Sequence, residues 1–320
     1  MATPLHLAAL YHYPLKSARG IALQTGQINP LGLEQDRRWV LVDEHGLFLS
    51  QRRCAAMGAI EAVADERRLT LRFKGQSMVA IANPADEVAA TVWSDQIAGC
   101  YGVQAEIDAW LSQTLGQTVR LLYFPDDAIR IVDESYAGQG QRTAFSDGFP
   151  LLLLSQSSLD ELSRQWGSLI DPRRFRPNII IGGDCAPFAE DQWRRVYITD
   201  PRHGEHVLEL VKPCSRCVIP SLDPDTLQST EGFLRFLAGQ RRMVDGKVYL
   251  GQNALLRLSQ SAEDLAEPPA ELSSAEESPL QSLAESACLL HTKKEQQKNA
   301  SDFARFIMPI LTLGSQVRVE

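Results

Sequence analysis

The chain has 320 residues, enough to bury a full hydrophobic core, so a disulfide-stapled miniprotein is excluded and two domains, or one domain with extensions, are expected. It carries 32 Lys and Arg against 40 Asp and Glu, a net charge of −8 with its six His neutral, which argues against a general attraction to nucleic acid. Any anion-binding site must therefore be local.

The N-terminal stretch MATPLHLAALYHYPLKS lacks the basic segment and apolar core of a secretory signal. No apolar run approaches the roughly 20 residues of a membrane span. The sequence therefore predicts a cytoplasmic protein with neither a membrane nor a nucleic-acid partner. Three of the six cysteines, Cys54, Cys100 and Cys288, are isolated in sequence, which is typical of reduced thiols rather than a disulfide framework.

Residues 1–102 predict an N-terminal β-rich domain. LHLAALYHYPL, RRWVLVDEHGLFLS and RLTLRFKG alternate or run in β-branched and aromatic residues, with turn signals at Asp43 and Gly46. Residues 103–120 then predict a connecting helix, because their apolar side chains share one helical face and Gly116 suits the position after the helix end.

Residues 121–258 predict a second β-rich domain. Strands are indicated by VRLLYFP, PLLLLS, RPNIIIGG, WRRVYI and VLELVK. SSLDELSRQWG predicts a helix that opens with a capping box from Ser158 to Glu161 and ends at Gly167, and EGFLRFLAG predicts another short helix. The expected fold class is α+β and β-rich, without a regular βαβ alternation.

Residues 259–306 form an acidic stretch whose core, SAEDLAEPPAELSSAEESPLQSLAES, contains no Lys or Arg. Such a composition buries too little apolar surface to offset its ordering entropy, so we predict a flexible insertion. Residues 307–320 include the strand-like IMPILTLGSQVRVE and are a candidate closing strand for the second domain.

The stretch VKPCSRCVIP places Cys214 and Cys217 three positions apart after a predicted strand. Such a pair can be half of a zinc site, which needs two further ligands, and Cys185, His203 and His206 are candidates. Against zinc, no second C-x-x-C occurs, and both histidines lie in a predicted hairpin turn.

Three other interpretations of the pair stay open. A redox dithiol would be expected to open a helix, which the prolines of VIPSLDPDT oppose. Two buried thiols could serve simply as small apolar groups. A single metal-binding thiolate is favoured by Arg216, whose positive charge next to Cys217 stabilises the deprotonated sulfur.

Several loops carry groups that hold phosphates and other oxyanions, namely basic side chains, a hydroxyl and backbone amides. These groups are Lys16, Ser17 and Arg19 in YPLKSARG, Arg37 in DRRW, and Arg173, Arg174, Arg176 and Asn178 in RRFRPN. For any one of these arginines taken alone, an ordinary surface charge is the better interpretation. Asp147 in FSDGFP could accept a ligand hydrogen bond or simply begin a turn.

The ordered set YPLKSARG, LEQDRRWVLVDEHG, FSDGFPLLLLSQSSLDEL, RRFRPNIII, CAPFAEDQW and KPCSRCVIPSLDPDT resembles the MOSC family, which is named after the C-terminal domain of molybdenum cofactor sulfurase. The chain is most similar to the amidoxime-reducing component and bacterial reductases of N-hydroxylated compounds, over roughly residues 5 to 253. The resemblance implies an N-terminal β-barrel-like domain and a MOSC β-barrel with peripheral helices, enclosing a molybdenum cofactor (Mo-molybdopterin).

The resemblance also implies residue roles. Cys217 would be the catalytic residue and the metal ligand, with Cys214 structural or supporting. Cofactor-binding roles would fall to Lys16, Ser17 and Arg37 at the phosphate or ring, Asp147 along the pterin, Arg176 and Asn178 on its other side, and Ser215 and Arg216 beside the metal.

The implied activity is a molybdenum-dependent, pyridoxal phosphate-independent reduction of small N-hydroxylated substrates such as hydroxylaminopurines, hydroxylamines and amidoximes. Electrons would come from a separate flavin or iron–sulfur reductase, because some relatives carry a C-x4-C-x2-C cluster motif and here only Cys288 follows Cys217. The alternatives are a carrier of the cofactor or of sulfur without turnover, and a zinc-binding structural module.

Overall fold

The computed structural model describes residues 2–257 and 309–320. The predicted insertion at 259–306 and Cys288 lie outside these described residues. The predicted fold class is confirmed, because strands dominate the described chain and seven of them close into a barrel. No described helix is both long and apolar enough to cross a bilayer.

The barrel is a ring of strands that are antiparallel except for one parallel pair. In order of pairing they are β1 (His6–His12), β13 (Ile179–Gly182), β12 (Leu151–Ser155), β16 (Tyr249–Arg257), β15 (Gly204–Ser215), β14 (Arg195–Asp200) and β18 (Gln316–Val319), which returns to β1. The short strand β2 (Ile21–Leu23) adds to β1 at the edge. The chain segment 316–319 therefore fills the ring between β14 and β1.

The parallel pair β12 and β13 forms the most buried part of the barrel. Every residue of LLLLS in β12 and IIIG in β13 is buried, as expected of strands covered on both faces. Helices α3 (Gln156–Trp166) and α4 (Phe233–Arg241) pack here through an apolar cluster of Leu154, Leu159, Leu162, Ile170, Phe175, Ile180, Phe233, Leu237 and Leu250.

Three smaller sheets complete the described fold. The first contains β5 (Trp39–Val42), β11 (Arg120–Tyr123), β10 (Asp95–Gly102) and β9 (Asn83–Val92). The second contains β17 (Ile310–Thr312), β3 (Thr25–Asn29) and β4 (Gly32–Leu33). The third contains β6 (Glu61–Asp65), β7 (Arg68–Phe73) and β8 (Gln76–Ile81). Helix α1 (Ala105–Leu115) packs with β5, β7 and β11 around a core that includes Trp39, Leu71, Ile107, Leu111 and Leu121.

Helix ends follow the sequence signals in part. Gly116 and Gly167 adopt left-handed conformations directly after α1 and α3, as predicted. The predicted capping box at Ser158 is wrong, because α3 begins at Gln156 and its N-cap is Ser155, whose hydroxyl accepts the Ser158 N–H at 3.2 Å. A four-residue helix, α2 (Glu134–Ala137), was not predicted.

The first strand, β1, lies in the barrel although it comes from the stretch predicted to form the N-terminal domain. The boundaries at residues 102 and 120 stay a prediction. Five segments of the chain line one cleft, which is the candidate site. They follow β1, precede β5, precede β12, precede β13 and end β15.

Candidate active site

All nine residues predicted to bind a cofactor or metal line one cleft. The cleft has a volume of about 810 Å³, including its open mouth. The nine are Lys16, Ser17, Arg37, Asp147, Arg176, Asn178, Ser215, Arg216 and Cys217. They come from five separate stretches of the chain, so the fold brings together what the sequence separates. Their individual roles remain predictions.

The cleft has a local excess of positive charge. The cations in its lining are Lys16, Arg37, Arg52, Arg176 and Arg216. Asp147 is the one acidic side chain that lines it among the described residues. Although the whole chain has a net charge of −8, this cleft has an excess of positive charge and is suited to binding an anion.

Three lining residues have backbone conformations that side chains other than glycine rarely adopt. The φ angles are +67° at Ser17, +49° at Arg37 and +56° at Arg176. Each such conformation costs about 1–3 kcal/mol and persists only where the surrounding structure holds it. For Arg37, the N–H donates to the Tyr13 carbonyl at 2.8 Å. Strain of this kind concentrates at functional sites, which supports a role in binding.

Arg37 is fixed within the cleft by several partners. Its Nη1 donates to Asp36 Oδ2 at 2.5 Å and to Asn178 Oδ1 at 3.1 Å, and its Nη2 donates to the Arg176 carbonyl at 3.2 Å. The guanidinium also lies 4.5 Å from the ring centre of Tyr13. Burial opposes its charge, but Asp36, Tyr13 and Asp147 together outweigh that effect and raise the pKa of Arg37. Arg37 is therefore a pre-oriented, permanent cation.

Asn178 is fully buried, and its amide is committed to the protein. Besides the bond from Arg37, Oδ1 accepts the Leu152 N–H at 3.1 Å, and Nδ2 donates to the Tyr11 carbonyl at 3.1 Å. These bonds join β1, β12 and the start of β13. Any effect of Asn178 on a bound ligand would therefore run largely through Arg37.

Replacing Asn178 with alanine should lower the free energy of unfolding by about 2–4 kcal/mol, because it leaves the buried Leu152 N–H and Tyr11 carbonyl without this partner. Urea unfolding measures the change. Asn83→Ala is the control, since that exposed side chain makes only a local bond to the Ala85 N–H and should cost little. Equal free energies of unfolding for the two variants would contradict a structural role of the Asn178 hydrogen bonds.

Arg176 has a buried donor without a partner. Its Nη1 donates to the Ala18 carbonyl at 2.8 Å, and its guanidinium lies 4.1 Å from the ring centre of Tyr13. Its Nη2 has no hydrogen-bond partner among the described residues. Burial, helped by the charge of Arg37, lowers the pKa of Arg176 to about 10, so it is still a cation at neutral pH. An anionic oxygen would satisfy the donor and offset the cost of burying the charge.

Lys16 and Asp147 form an ion pair at the cleft, with Nζ donating to Oδ1 at 2.5 Å. Burial lowers the pKa of Lys16 to about 8, despite the opposing influence of Asp147. Enclosure in the cleft tends to raise the pKa of Asp147, but Lys16, Arg37 and Arg52 outweigh it and hold that pKa well below its usual range. At neutral pH the pair is therefore charged, with Lys16 close to losing its proton.

Binding of inorganic phosphate to the cofactor-free protein should weaken as the pH rises through about 8. Lys16 is charged below its pKa and neutral above it, so its attraction for the anion is present at pH 7 and lost by pH 9.5. We expect a fall of about tenfold in affinity by calorimetry, since one pKa unit corresponds to about 1.4 kcal/mol. Lys16→Arg, which keeps its charge, should show a flatter profile. Identical profiles would contradict the role of Lys16.

The two cysteines of CSRC occupy different positions. Cys214 is in β15, one residue before its end, and Cys217 follows in the loop before a short 3₁₀ helix (Ile219–Ser221). Cys217 Sγ accepts the Ile219 N–H at 3.5 Å. Since Cys217 precedes only one 3₁₀ turn, the pair does not open an α-helix, which disfavours the redox dithiol.

Arg216 forms a hydrogen bond with Cys214, whereas its predicted effect on the neighbouring Cys217 stays a prediction. Arg216 Nη1 donates to Cys214 Sγ at 3.0 Å. The guanidinium is held there because Nη2 donates to the Phe175 carbonyl at 2.6 Å. Arg216 Nε is buried and has no partner among the described residues. The order of residues in the sequence therefore does not show which of the two sulfur atoms the Arg216 guanidinium contacts.

The zinc interpretation finds no support in residues 2–257 and 309–320, where no group of three or more His, Cys, Asp or Glu side chains could hold a metal ion. His203 lies in the β14–β15 hairpin and contacts Asp200 at 2.9 Å. Cys185 Sγ contacts Ser157 Oγ at 3.4 Å. Neither Cys185 nor His203 lines the cleft.

Sequence reasoning missed three notable lining residues, Phe48, Arg52 and Asn253. The only signal for Arg52 was its charge, which it shares with Arg53. Arg53 instead pairs with Asp43 at 3.0 Å and does not line the cleft. Only the fold distinguishes these neighbours.

The donors and acceptors of the cleft fit the molybdenum cofactor that the resemblance implies. Its phosphate would match the basic lining and the unpaired donors of Arg176 and Arg216. Cys217 offers a sulfur atom, a soft ligand suited to binding a metal that already has sulfur ligands.

Comparison with known proteins agrees with this fit. The sequence profile of the MOSC N-terminal beta barrel domain matches residues 5–118, and that of the MOSC domain matches residues 140–263. Mitochondrial amidoxime-reducing component 1 of Mus musculus is 30% identical over 235 residues, which cover 69% of this chain and 66% of that protein. The chain thus matches slightly less than two thirds of that relative's length.

Two further relatives are similar. Mitochondrial amidoxime-reducing component 1 of Homo sapiens is 29% identical over 236 residues, covering 69% of this chain and 67% of that protein. Molybdenum cofactor sulfurase of Oryza sativa subsp. japonica is 26% identical over 279 residues, covering 77% of this chain and 32% of that protein. With both domains matched in order over most of its length, the chain belongs to the MOSC-domain family.

Proposed function

We propose that the protein is a molybdenum-cofactor-dependent reductase of N-hydroxylated compounds. The observation that carries the proposal is the cationic cleft, in which Cys217 and the eight other predicted residues meet. Two relatives at about 30% identity are named amidoxime-reducing components, which supports this reaction class. The substrates would be small hydroxylamines, hydroxylaminopurines or amidoximes.

The chain's own residues would bind and orient the cofactor. Arg37 and Arg176 would donate to its phosphate or ring, since both are pre-oriented over Tyr13. Lys16 would add a charge that the anion itself stabilises, and Cys217 would supply the thiolate to the metal. When bound, the cofactor supplies the two-electron chemistry that reduces the N–O bond, and the protein supplies position and electrostatics.

Electrons would come from a separate flavin or iron–sulfur protein, and the word component in the names of two relatives favours such a partner. This partner, like the cytoplasmic location, stays a prediction, and two relatives named above are described as mitochondrial.

A second candidate function is transfer of sulfur or cofactor without turnover. The contact from Arg216 to Cys214 favours it, because this hydrogen bond at 3.0 Å holds a second sulfur atom in the cleft beside Cys217. The similarity to molybdenum cofactor sulfurase supports the same possibility.

The test is reduction of benzamidoxime by molybdenum-loaded protein with an artificial one-electron donor. We expect benzamidine in proportion to bound molybdenum, and none from protein made without the cofactor. Full loading with no turnover would reject the reductase proposal and leave the carrier as the better function. Zinc at unit stoichiometry, without molybdenum or pterin, would reject both.

A further inference from the structure

Arg52 is a cation of the cleft that forms no salt bridge within residues 2–257 and 309–320. It lies among the residues that line the cleft with Lys16 and Asp147, and its charge contributes to the depressed pKa of Asp147. Within the described part of the chain, no carboxylate is within salt-bridge distance of its guanidinium, and no carbonyl accepts a hydrogen bond from it. Its neighbour Arg53, by contrast, is paired with Asp43.

The guanidinium of Arg52 lies over the indole of Trp93, 4.5 Å from the ring centre. Trp93 occupies the two-residue turn between β9 and β10 and has a φ of +57°. Turns of this length favour glycine at positions with positive φ, so a bulky aromatic residue there is costly. The indole is also 44% exposed, so burial offsets little of that cost. The turn therefore displays an aromatic surface at an energetic penalty.

Trp93 is connected to the centre of the cleft. Its ring meets Phe48 edge-on, with the ring centres 4.9 Å apart. The Lys16 ammonium also lies over the Phe48 ring, 5.2 Å from the ring centre. The series is continuous: Arg52 contacts Trp93, Trp93 contacts Phe48, and Phe48 contacts Lys16, so two cation–aromatic contacts and one aromatic pair connect two cations of one cleft.

Stacking orients a guanidinium without using its donors. Its five N–H groups lie in the plane of the group, so a ring against its face leaves the edge free to bind a phosphate in a bidentate manner. Trp93 also restricts the long Arg52 side chain and so reduces the entropy lost when a ligand binds. An exposed, unpaired and stacked arginine therefore matches a phosphate group better than it matches a structural ion pair.

We propose that Arg52, held by Trp93, is an additional phosphate-binding residue of this cleft. Its ligand is a phosphate monoester, carried either by the cofactor or by a phosphorylated small molecule. The inference rests on the proposed function only where it names the cofactor as one of these sources.

The first test is calorimetric titration of the cofactor-free protein with inorganic phosphate at pH 7. Arg52→Ala should weaken binding by about tenfold or more, as expected for the loss of charge-assisted hydrogen bonds. Arg52→Lys should recover only part of the loss, because an ammonium cannot bind in a bidentate manner. Arg53→Ala is the matched control and should bind within about twofold of wild type.

Substitutions of Trp93 separate orientation from charge. Trp93→Ala should weaken phosphate binding by about two- to fivefold, the share expected of a cation–π contact, and Trp93→Phe should restore most of it. If Trp93→Ala binds as tightly as wild type while Arg52→Ala does not, Arg52 binds phosphate but the aromatic support is refuted.

Molybdenum and pterin content of the same variants, made in a host that synthesises the cofactor, identifies the source of the phosphate. A lower content in Arg52→Ala than in Arg53→Ala assigns the phosphate to the cofactor, and equal content with weaker phosphate binding assigns it to another ligand. No phosphate binding by wild type, or equal affinities of the Arg52→Ala and Arg53→Ala proteins, overturns the proposal. Turnover plays no part in these measurements, so their failure is distinguishable from failure of the reductase proposal.

Discussion

Replacing Cys217 with serine should abolish reduction of benzamidoxime, with a loss of at least about 100-fold per bound molybdenum. A serine oxygen is a harder donor than a thiolate and is protonated at neutral pH, so it would bind the metal weakly and alter its redox properties. The assay should be normalised to molybdenum content, and X-ray absorption should show one metal–sulfur bond fewer.

Cys214→Ser is the matched control for this prediction. Its hydroxyl can still accept the hydrogen bond that Arg216 now donates to Cys214 Sγ, so the loop should keep its conformation and the protein most of its activity. Equal losses from the two substitutions would point instead to a mechanism in which both sulfurs act together. A loss only at Cys214 would favour the sulfur-carrier function.

Replacing Arg176 with alanine should reduce the pterin and molybdenum retained through purification by about tenfold. The substitution removes a buried cation whose Nη2 has no partner within the described chain and whose guanidinium is held over Tyr13. Content per protein is measured after gel filtration, alongside a thermal unfolding curve that reports whether the variant is folded.

Arg173→Ala is the control for Arg176, because it lies three residues earlier in the same loop but pairs with Asp171 and Asp225 outside the cleft. It should keep its cofactor. If the Arg176→Ala protein is folded and retains as much pterin as the Arg173→Ala protein, Arg176 does not contribute to binding. Arg176→Lys should lie between alanine and wild type, since it keeps the charge but not the fork of donors.

Much of the fold could be predicted because its signals are local. The apolar runs LLLLS and NIIIGG predict buried strands. Gly116 and Gly167 predict helix ends, because glycine readily adopts the left-handed conformation found there. The start of α3 could not be chosen, because Ser155 and Ser158 are equally good caps in sequence and only the chain direction after β12 selects Ser155.

The site residues themselves were predicted through ordered motifs, whereas their contacts were not. Nothing local to the sequence shows that Arg216 is drawn to the Phe175 carbonyl, 41 residues away, and so reaches Cys214. In the same way, Asn178 suggests a ligand-binding amide, but its oxygen accepts from Arg37 and Leu152 and its nitrogen donates to Tyr11, all distant in sequence. Long-range contacts decide which donors remain available, and a motif does not encode them.

The position of β18 has a consequence for the order of events during synthesis. His6 of β1 pairs with Gln316 of β18, about 300 residues later in the chain. This pairing of β1 therefore cannot form until β18 has been synthesised. Until residues 316–319 have emerged from the ribosome, the gap between β14 and β1 stays open, and the loop bearing Lys16 and Ser17 extends from a strand that lacks one neighbour. We therefore expect cofactor insertion to follow synthesis of β18, detectable as pterin on chains that include residues 316–319 and not on stalled chains that end before them.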